Sequence, residues 1–186
     1  MPVRVAVLDA NVLYSIEHTD ILLTLAAMRA VRVHWSSEIL DEVRRNLAAR
    51  PDLSTAAIDY RIAQMNRALP DALDDPPGDL VGSMPINDKD RHVLALAVHV
   101  EAAVIVTSNL RDFPARDCEP YGVEAVSPDE FLAGIAEADP STVRDVVAAV
   151  AARRQRPPIT TDELLDRLSN TLPEFVDRLR AAREDR

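Results

Sequence analysis

The sequence predicts a layered α/β domain with a central parallel sheet. Near-continuous apolar runs of strand length occur at residues 3–8 and 102–107, as expected for parallel strands that are buried on both faces. Residues 31–35 add a strand in which apolar and polar residues alternate. Segments with helical periodicity separate these runs, which is typical of an α/β fold.

The length of the chain fits one such domain with an appended helical piece. The chain has 186 residues, of which 47% are hydrophobic, so it can bury a sizeable core. The predicted strands end before residue 139, and we therefore divide the chain into a domain at 1–138 and a helical extension at 139–186. Within the extension, Thr160 with Glu163 and Thr171 with Glu174 predict the starts of two helices. The extension also contains a cluster of arginines at Arg153, Arg154 and Arg156. This cluster fits either a solvated helix end or an RNA-binding patch.

Charge and cysteine content restrict the class of protein. The formal net charge of −10 argues against a passive nucleic-acid coat protein, but not against an enzyme that meets phosphates through divalent cations. Cys118 is the single cysteine, which excludes an internal disulfide framework and fits a reducing cytoplasm. No apolar run approaches the length of a membrane helix, and no secretion signal opens the sequence, so we expect no membrane association.

Asp9 follows the first strand directly, and ligands of open α/β sheets bind outside the carboxyl ends of the strands. A functional carboxylate and a simple helix cap both explain this residue. Asp112 follows the strand at 102–107 in the same way, with Thr107, Ser108 and Asn109 as possible hydrogen-bonding helpers. A turn without function explains that segment nearly as well.

Two further acids lie on helices that the periodicity predicts. On a helical wheel, Glu42 flanks the apolar stripe of the helix at 37–47, whereas its neighbour Asp41 lies opposite. Asp90 falls on the apolar face of the helix predicted around residues 90–98, which is formed by Val93, Leu94, Ala97 and Val98. A carboxylate that faces a core requires a neutralising partner. Asp88 falls on the other face, with His92 and His99, and is explained as a helix cap.

Together these four acids predict a metal site. Four carboxylates at close range cannot all stay ionised without cations, and oxygen ligands select hard ions such as Mg²⁺ or Mn²⁺. The four histidines show no zinc-like spacing, and the four glycines form no phosphate-binding loop. No serine or cysteine nucleophile motif is present.

The motifs around these acids resemble those of the PIN-domain family, and in particular its VapC-type ribonuclease toxins from bacterial type II toxin–antitoxin modules. The resemblance spans about residues 3–132, in the order of the family. It rests on four stretches: Val7-Leu8-Asp9-Ala10-Asn11-Val12-Leu13, Ile39-Leu40-Asp41-Glu42-Val43, Asp88 to Ala97, and Ile105 to Pro114.

The resemblance implies a three-layer domain with a parallel sheet between helices, and Mg²⁺- or Mn²⁺-dependent endonucleolytic cleavage of RNA. It implies Asp9 and Asp90 as metal ligands, Glu42 as the third acid and Asp112 as the fourth. Asn11 matches as a hydrogen-bonding neighbour. Two positions depart from the family: Asn109 stands where an acid is frequent, and Ala10 where threonine or serine is common. The resemblance also implies a cognate antitoxin as partner, and a homodimer is common in this family.

Two other functions are alternatives to a metal-dependent ribonuclease. A non-catalytic PIN-like module that binds RNA or protein remains open, because Asn109 thins the acidic set. A phosphohydrolase that uses Asp9 as its nucleophile is disfavoured, since that class needs a second acid at the position of Asn11.

Overall fold

The computed structural model describes residues 4–155 and 157–184, so Val3 and Arg156 lie outside the described residues. Its strands form a four-stranded, fully parallel sheet in the order β2-β1-β3-β4, which confirms the predicted α/β class. The strands are β1 (Arg4–Leu8), β2 (Val31–His34), β3 (Val104–Val106) and β4 (Glu124–Val126).

Helices connect the strands and pack against the sheet. Those of the first part are α1 (Ala10–Tyr14), α2 (Ile16–Ala27), α3 (Ser37–Ala48), α4 (Thr55–Ala68), α5 (Gly78–Ser83), α6 (Arg91–His99) and α7 (Ala115–Cys118). Short 3₁₀ turns lie at Pro70–Ala72, Leu110–Asp112 and Glu119–Tyr121. Serine side chains cap α2, α3 and α4, because each accepts a hydrogen bond from the backbone of its first turn: Ser15, Ser36 and Ser54.

The order of the strands places a switch point between β1 and β3. From β1 the chain crosses to one side to form β2 and then to the other side to form β3, and Leu8 pairs with Val106. Ligands of open parallel sheets bind in the crevice at such a point, outside the carboxyl ends of the strands. Asp9 follows Leu8 at this edge, and its backbone N–H donates to the Val106 carbonyl at 3.1 Å.

Helix α6 is more deeply embedded than its periodicity suggested. It contacts β1, β3 and α5, and residues 92–97 are all buried. The Pro-, Gly- and Asp-rich sequence of residues 70–85 is typical of an irregular surface loop, but part of it is helical. The half-buried side chains of Leu80 and Val81 pack against the core, which stabilises α5 within that segment.

The C-terminal helices pack on the sheet domain. They are α8 (Pro128–Ala138), α9 (Pro140–Arg153), α10 (Thr161–Leu168) and α11 (Pro173–Glu184). Helix α9 contacts α2 and α8, and α11 contacts α8. Arg153 donates to the Thr24 hydroxyl and Arg154 pairs with Asp20 at 3.2 Å, so these arginines join α9 to α2. The boundary at residue 138 stays a prediction.

The helix starts in the extension were predicted with mixed success. The Thr160–Glu163 capping box is present, as predicted. Thr171 does not cap α11, because its hydroxyl lies 3.1 Å from His18 Nε2 instead. The first N–H groups of α11 donate to the carboxylate of Asp129 in α8. Among the described helices, none has both the length and the apolar character needed to cross a bilayer.

Candidate metal centre at the carboxyl edge of the sheet

Asp9 lies at the centre of a hydrogen-bond network at the end of β1. Its side chain is buried, and Oδ1 accepts from the backbone N–H of Ala10 at 2.6 Å. Oδ2 accepts from the Thr107 hydroxyl at 2.7 Å and from the Asn11 amide at 2.5 Å. Asp9 also has the backbone conformation of the N-cap of α1. The cap and the site residue are therefore the same carboxylate, and its orientation is fixed by donors from α1 and from Thr107 at the end of β3.

The predicted helper residues surround Asp9. The Thr107 hydroxyl accepts from the Asn11 amide and from the backbone N–H of Asn109, each at 3.0 Å. The backbone N–H of Ser108 donates to Asn11 Oδ1 at 2.9 Å, so Ser108 contributes through its main chain. These contacts tie the end of β3 to the start of α1.

Asp90 stands at the start of α6 without serving as its cap. Its side chain is only 16% exposed, and among the described residues no donor makes a hydrogen bond to its buried Oδ2. Burial raises the pKa of Asp90, and the nearby charges of Asp112 and Asp9 raise it further, whereas Lys89 opposes them. Asp88, which we predicted to be the cap, is instead an exposed residue that pairs with Arg91 at 3.0 Å.

Asp112 meets Asp90 across a lysine. Its Oδ2 lies 2.7 Å from Lys89 Nζ, and the same ammonium lies 3.5 Å from Asp90 Oδ2. The side-chain amide of Asn109 also donates to Asp112 Oδ2. Asn109, at the position where an acid is frequent, therefore acts here as a donor to the fourth acid.

Glu42 reaches the site through a histidine. His92 Nε2 lies 3.0 Å from Glu42 Oε1, and the Glu42 side chain is 29% exposed. We placed His92 on a polar face of its helix, and this was wrong, because the imidazole is buried between α6 and α3. Since a carboxylate only accepts hydrogen bonds, His92 carries its proton on Nε2 and donates it to Glu42. Glu42 is thereby tied to the helix that begins at Asp90.

The four predicted acids thus divide into two groups. The charges of Asp112 and Asp9 both raise the pKa of Asp90, whereas Glu42 is linked to α6 through its contact with His92. Within the described residues, no three carboxylate, histidine or cysteine side chains converge closely enough to form a complete metal cage. Mg²⁺ does not require one, because it usually keeps several waters and binds one or two carboxylates together with substrate phosphates. The all-oxygen donor set fits such an ion, and so does Asp90 Oδ2, which accepts no hydrogen bond from the described residues.

Two contributors to the site were not singled out from the sequence. Lys89 is adjacent to Asp90 and is the single lysine of the chain, which could have marked it as a counter-ion. His92 is two residues beyond Asp90, and its burial has no signal in the periodicity of α6. Both side chains act on acids that are distant in sequence.

Comparisons with known proteins match the two parts of the chain separately. A family model described as "PIN domain" matches residues 5–111, which include Asp9, Glu42 and Asp90 but end just before Asp112. A second model, described as "VapC50 C-terminal domain", matches residues 128–181. The chain is 38% identical over 102 residues to "Putative ribonuclease VapC50" of Mycobacterium tuberculosis (strain ATCC 25618 / H37Rv). This similarity covers 55% of the chain and 60% of the relative's own length. No solved structure matches the chain.

Proposed function

The chain belongs to the PIN-domain family, and from this premise we propose that it is a Mg²⁺- or Mn²⁺-dependent endoribonuclease that acts as the toxin of a type II toxin–antitoxin module. Its substrate is then RNA, and its partner a cognate antitoxin protein. The similarity to a relative named a putative ribonuclease supports the reaction class. A cytoplasmic location agrees with an RNA substrate and with the single buried thiol of Cys118.

One observation carries this proposal. Asp90 directs a buried carboxylate oxygen, which accepts no hydrogen bond from the described residues, toward a region that Asp9 and Asp112 also charge negatively. A buried carboxylate in this state is costly unless a cation neutralises it, and Lys89, which is 65% exposed, approaches Asp90 Oδ2 no closer than 3.5 Å. The three acids come from the ends of β1 and β3 and the start of α6, which is the edge where parallel sheets bind their ligands.

In the proposed reaction each residue has a defined task. Asp9 and Asp90 hold the cation, and Asp112 completes the negative edge. Thr107 and Asn11 keep Asp9 in one orientation through their hydrogen bonds to Oδ2. Glu42, oriented by His92, accepts a proton or orients water beside α6. A bound divalent cation supplies charge neutralisation at the phosphodiester and activation of water for hydrolysis.

The test compares asparagine substitutions at two acids that lie two residues apart in the sequence. Asp90→Asn removes the charge of the buried acid, whereas the control Asp88→Asn removes that of an exposed acid with a side chain 89% accessible. We expect Asp90→Asn to abolish Mn²⁺-dependent cleavage of a labelled RNA and to lose Mn²⁺ binding by isothermal titration calorimetry. Asp88→Asn should retain both. Equal cleavage by Asp90→Asn and the wild-type protein would refute the assignment.

The toxin role has its own test. Induced expression of the wild-type chain should arrest growth, and Asp90→Asn should relieve the arrest while the protein accumulates to the same level. Co-expression of a small reading frame encoded beside the gene should also relieve the arrest. Cleavage in vitro without growth arrest would support the nuclease activity but refute the role as a toxin.

A second candidate function is a non-catalytic module that binds RNA or protein. It is favoured by Asn109, which donates to Asp112 at a position where an acid is frequent in the family. The same experiment separates the two candidates. A module of this kind would retain RNA in a gel-shift assay but would show no cleavage with any divalent cation.

A further inference from the structure

Lys89 occupies the space between two of the proposed site acids. Its ammonium lies 2.7 Å from Asp112 Oδ2 and 3.5 Å from Asp90 Oδ2, while its side chain is 65% exposed. The contact with Asp112 joins residues that are 23 positions apart. The acidic edge therefore already contains one positive charge that belongs to the chain itself.

This ammonium and a divalent cation would compete for the same oxygens. Asp90 Oδ2 and Asp112 Oδ2 both lie within ion-pair distance of Lys89 Nζ. Two cations held by one pair of carboxylates repel each other, so the two occupants exclude one another. A lysine is suited to leave, because its charge is strongly hydrated and its stem is flexible.

We propose that Lys89 is an internal counter-ion of the Asp90–Asp112 pair, and that a divalent cation displaces it on binding. This inference rests on the metal site of the proposed function. In the metal-free protein the ammonium holds the two acids together and limits their repulsion. In the metal-loaded protein it is released, and each binding event includes the cost of breaking its ion pairs.

The structure provides a place for the released ammonium. Lys89, Arg111 and Arg116 line an open groove of about 830 Å³, to which Asp88, Asp112 and Asp117 also contribute. There the ammonium is solvated, so its release leaves no buried charge. Once Lys89 no longer pairs with Asp112, its positive charge in the groove is uncompensated, which favours a phosphate-bearing ligand next to the cation.

The first test measures Mn²⁺ affinity and metal-free stability in matched variants. Lys89→Met keeps the stem and removes the charge, and Lys89→Arg keeps a charge. Arg111→Met removes a groove cation that, within the part of the chain the structure describes, forms no ion pair with the site acids. We expect Lys89→Met to bind Mn²⁺ roughly two- to fivefold more tightly than wild type, the range given by the strength of exposed ion pairs. Its melting temperature without metal should fall below that of the other proteins. Arg111→Met should change the affinity less.

The outcomes separate the inference from the function beneath it. If the wild-type protein binds no Mn²⁺, both the proposed metal site and this inference are overturned. If wild type binds Mn²⁺ and Lys89→Met binds it equally or more weakly, only the inference is overturned. An equal gain in affinity for Arg111→Met would also overturn it, because the effect would then reflect general charge rather than the contact with the two acids.

A second test observes the lysine directly. Reductive methylation with ¹³C-formaldehyde preserves the positive charge and labels the one lysine, giving a methyl signal distinct from that of the terminal amine. Titration with diamagnetic Mg²⁺ should shift this signal toward that of a free, mobile lysine. Asp112→Asn should move it in the same direction before any metal is added. A signal that does not respond to saturating Mg²⁺ would refute the displacement.

Discussion

Replacement of Thr107 by valine would remove the hydroxyl that holds Asp9, while leaving every carboxylate in place. The side chain is fully buried at the end of β3, and valine has nearly the same shape. The hydroxyl donates to Asp9 Oδ2 at 2.7 Å and accepts from Asn11 and from the Asn109 backbone, each at 3.0 Å. The backbone N–H of exposed Asn109 can bind water instead, and Asn11 keeps its own hydrogen bond to Asp9 Oδ2. The hydrogen bond that the hydroxyl donates to buried Asp9 is lost.

The magnitude follows from that one hydrogen bond. A hydrogen bond to a charged group contributes about 1.5–3 kcal/mol, so Thr107→Val should destabilise the fold by about 2 kcal/mol. In a domain of this size that corresponds to a fall in melting temperature of about 4–8 °C. Loosening of Asp9 should also weaken Mn²⁺ binding by about 10- to 100-fold, as is common when a neighbour of a metal ligand is lost.

Urea unfolding followed by circular dichroism would measure the stability, and calorimetric titration the Mn²⁺ affinity. The control Thr107→Ser keeps the hydroxyl and loses one methyl group, which costs about 1 kcal/mol of burial. It should retain the wild-type Mn²⁺ affinity. A Thr107→Val protein within about 0.5 kcal/mol of wild type, the usual range of neutral surface changes, would refute the claim that this hydroxyl anchors Asp9.

Two further predictions concern buried histidines. His92→Leu should lower RNA cleavage, because Glu42 loses the donor 3.0 Å from Oε1, and His92→Gln should restore part of the activity. In a Glu42→Gln background, His92→Leu should have little additional effect on cleavage. A full additional loss in that double mutant would refute a role of His92 through Glu42. Burial lowers the pKa of His18 below its ordinary 6.5, so the unfolded chain binds more protons than the folded one and stability should fall as the pH is lowered through and below 6.5. His18→Gln can keep a hydrogen bond to Thr171 without titrating, and urea unfolding at pH 7.5 and 5.5 should show a smaller loss of stability than in wild type; an identical loss would contradict this assignment.

The sequence was most informative where local patterns and strand ends coincide. Asp9 and Thr107 could be placed at one edge because parallel strands end on the same side of a sheet, and the Thr107 hydroxyl indeed donates to Asp9. The inward direction of Asp90 followed from its position on the helical wheel. These predictions needed only the period of each element and the parallel order of the strands.

The remaining features depend on contacts between distant segments. A helical wheel assumes one buried face, but α5 also packs against α6 and Glu42 of α3 contacts His92, so His92 is buried where the wheel indicated solvent. The cap of α11 comes from Asp129, 45 residues before Glu174. Lys89 meets Asp112 only because the 3₁₀ turn at Leu110–Asp112 folds back toward the start of α6. None of these partners leaves a periodic signal in the sequence.

The two sides of the acidic edge differ in how tightly the fold retains them. Asp9 follows the central strand β1, and its own N–H is part of the ladder to β3, so exposing it requires an opening close to global unfolding. Asp112 ends a 3₁₀ turn whose residue Leu110 is 43% exposed, and such a turn opens at little cost. Amide hydrogen exchange should therefore be slow at residues 6–9 and fast at residues 110–113. We therefore expect Asp9 to stay in place while the turn that carries Asp112 opens. A long polymer could then enter from the Asp112 side of the acidic edge without any disturbance of the sheet.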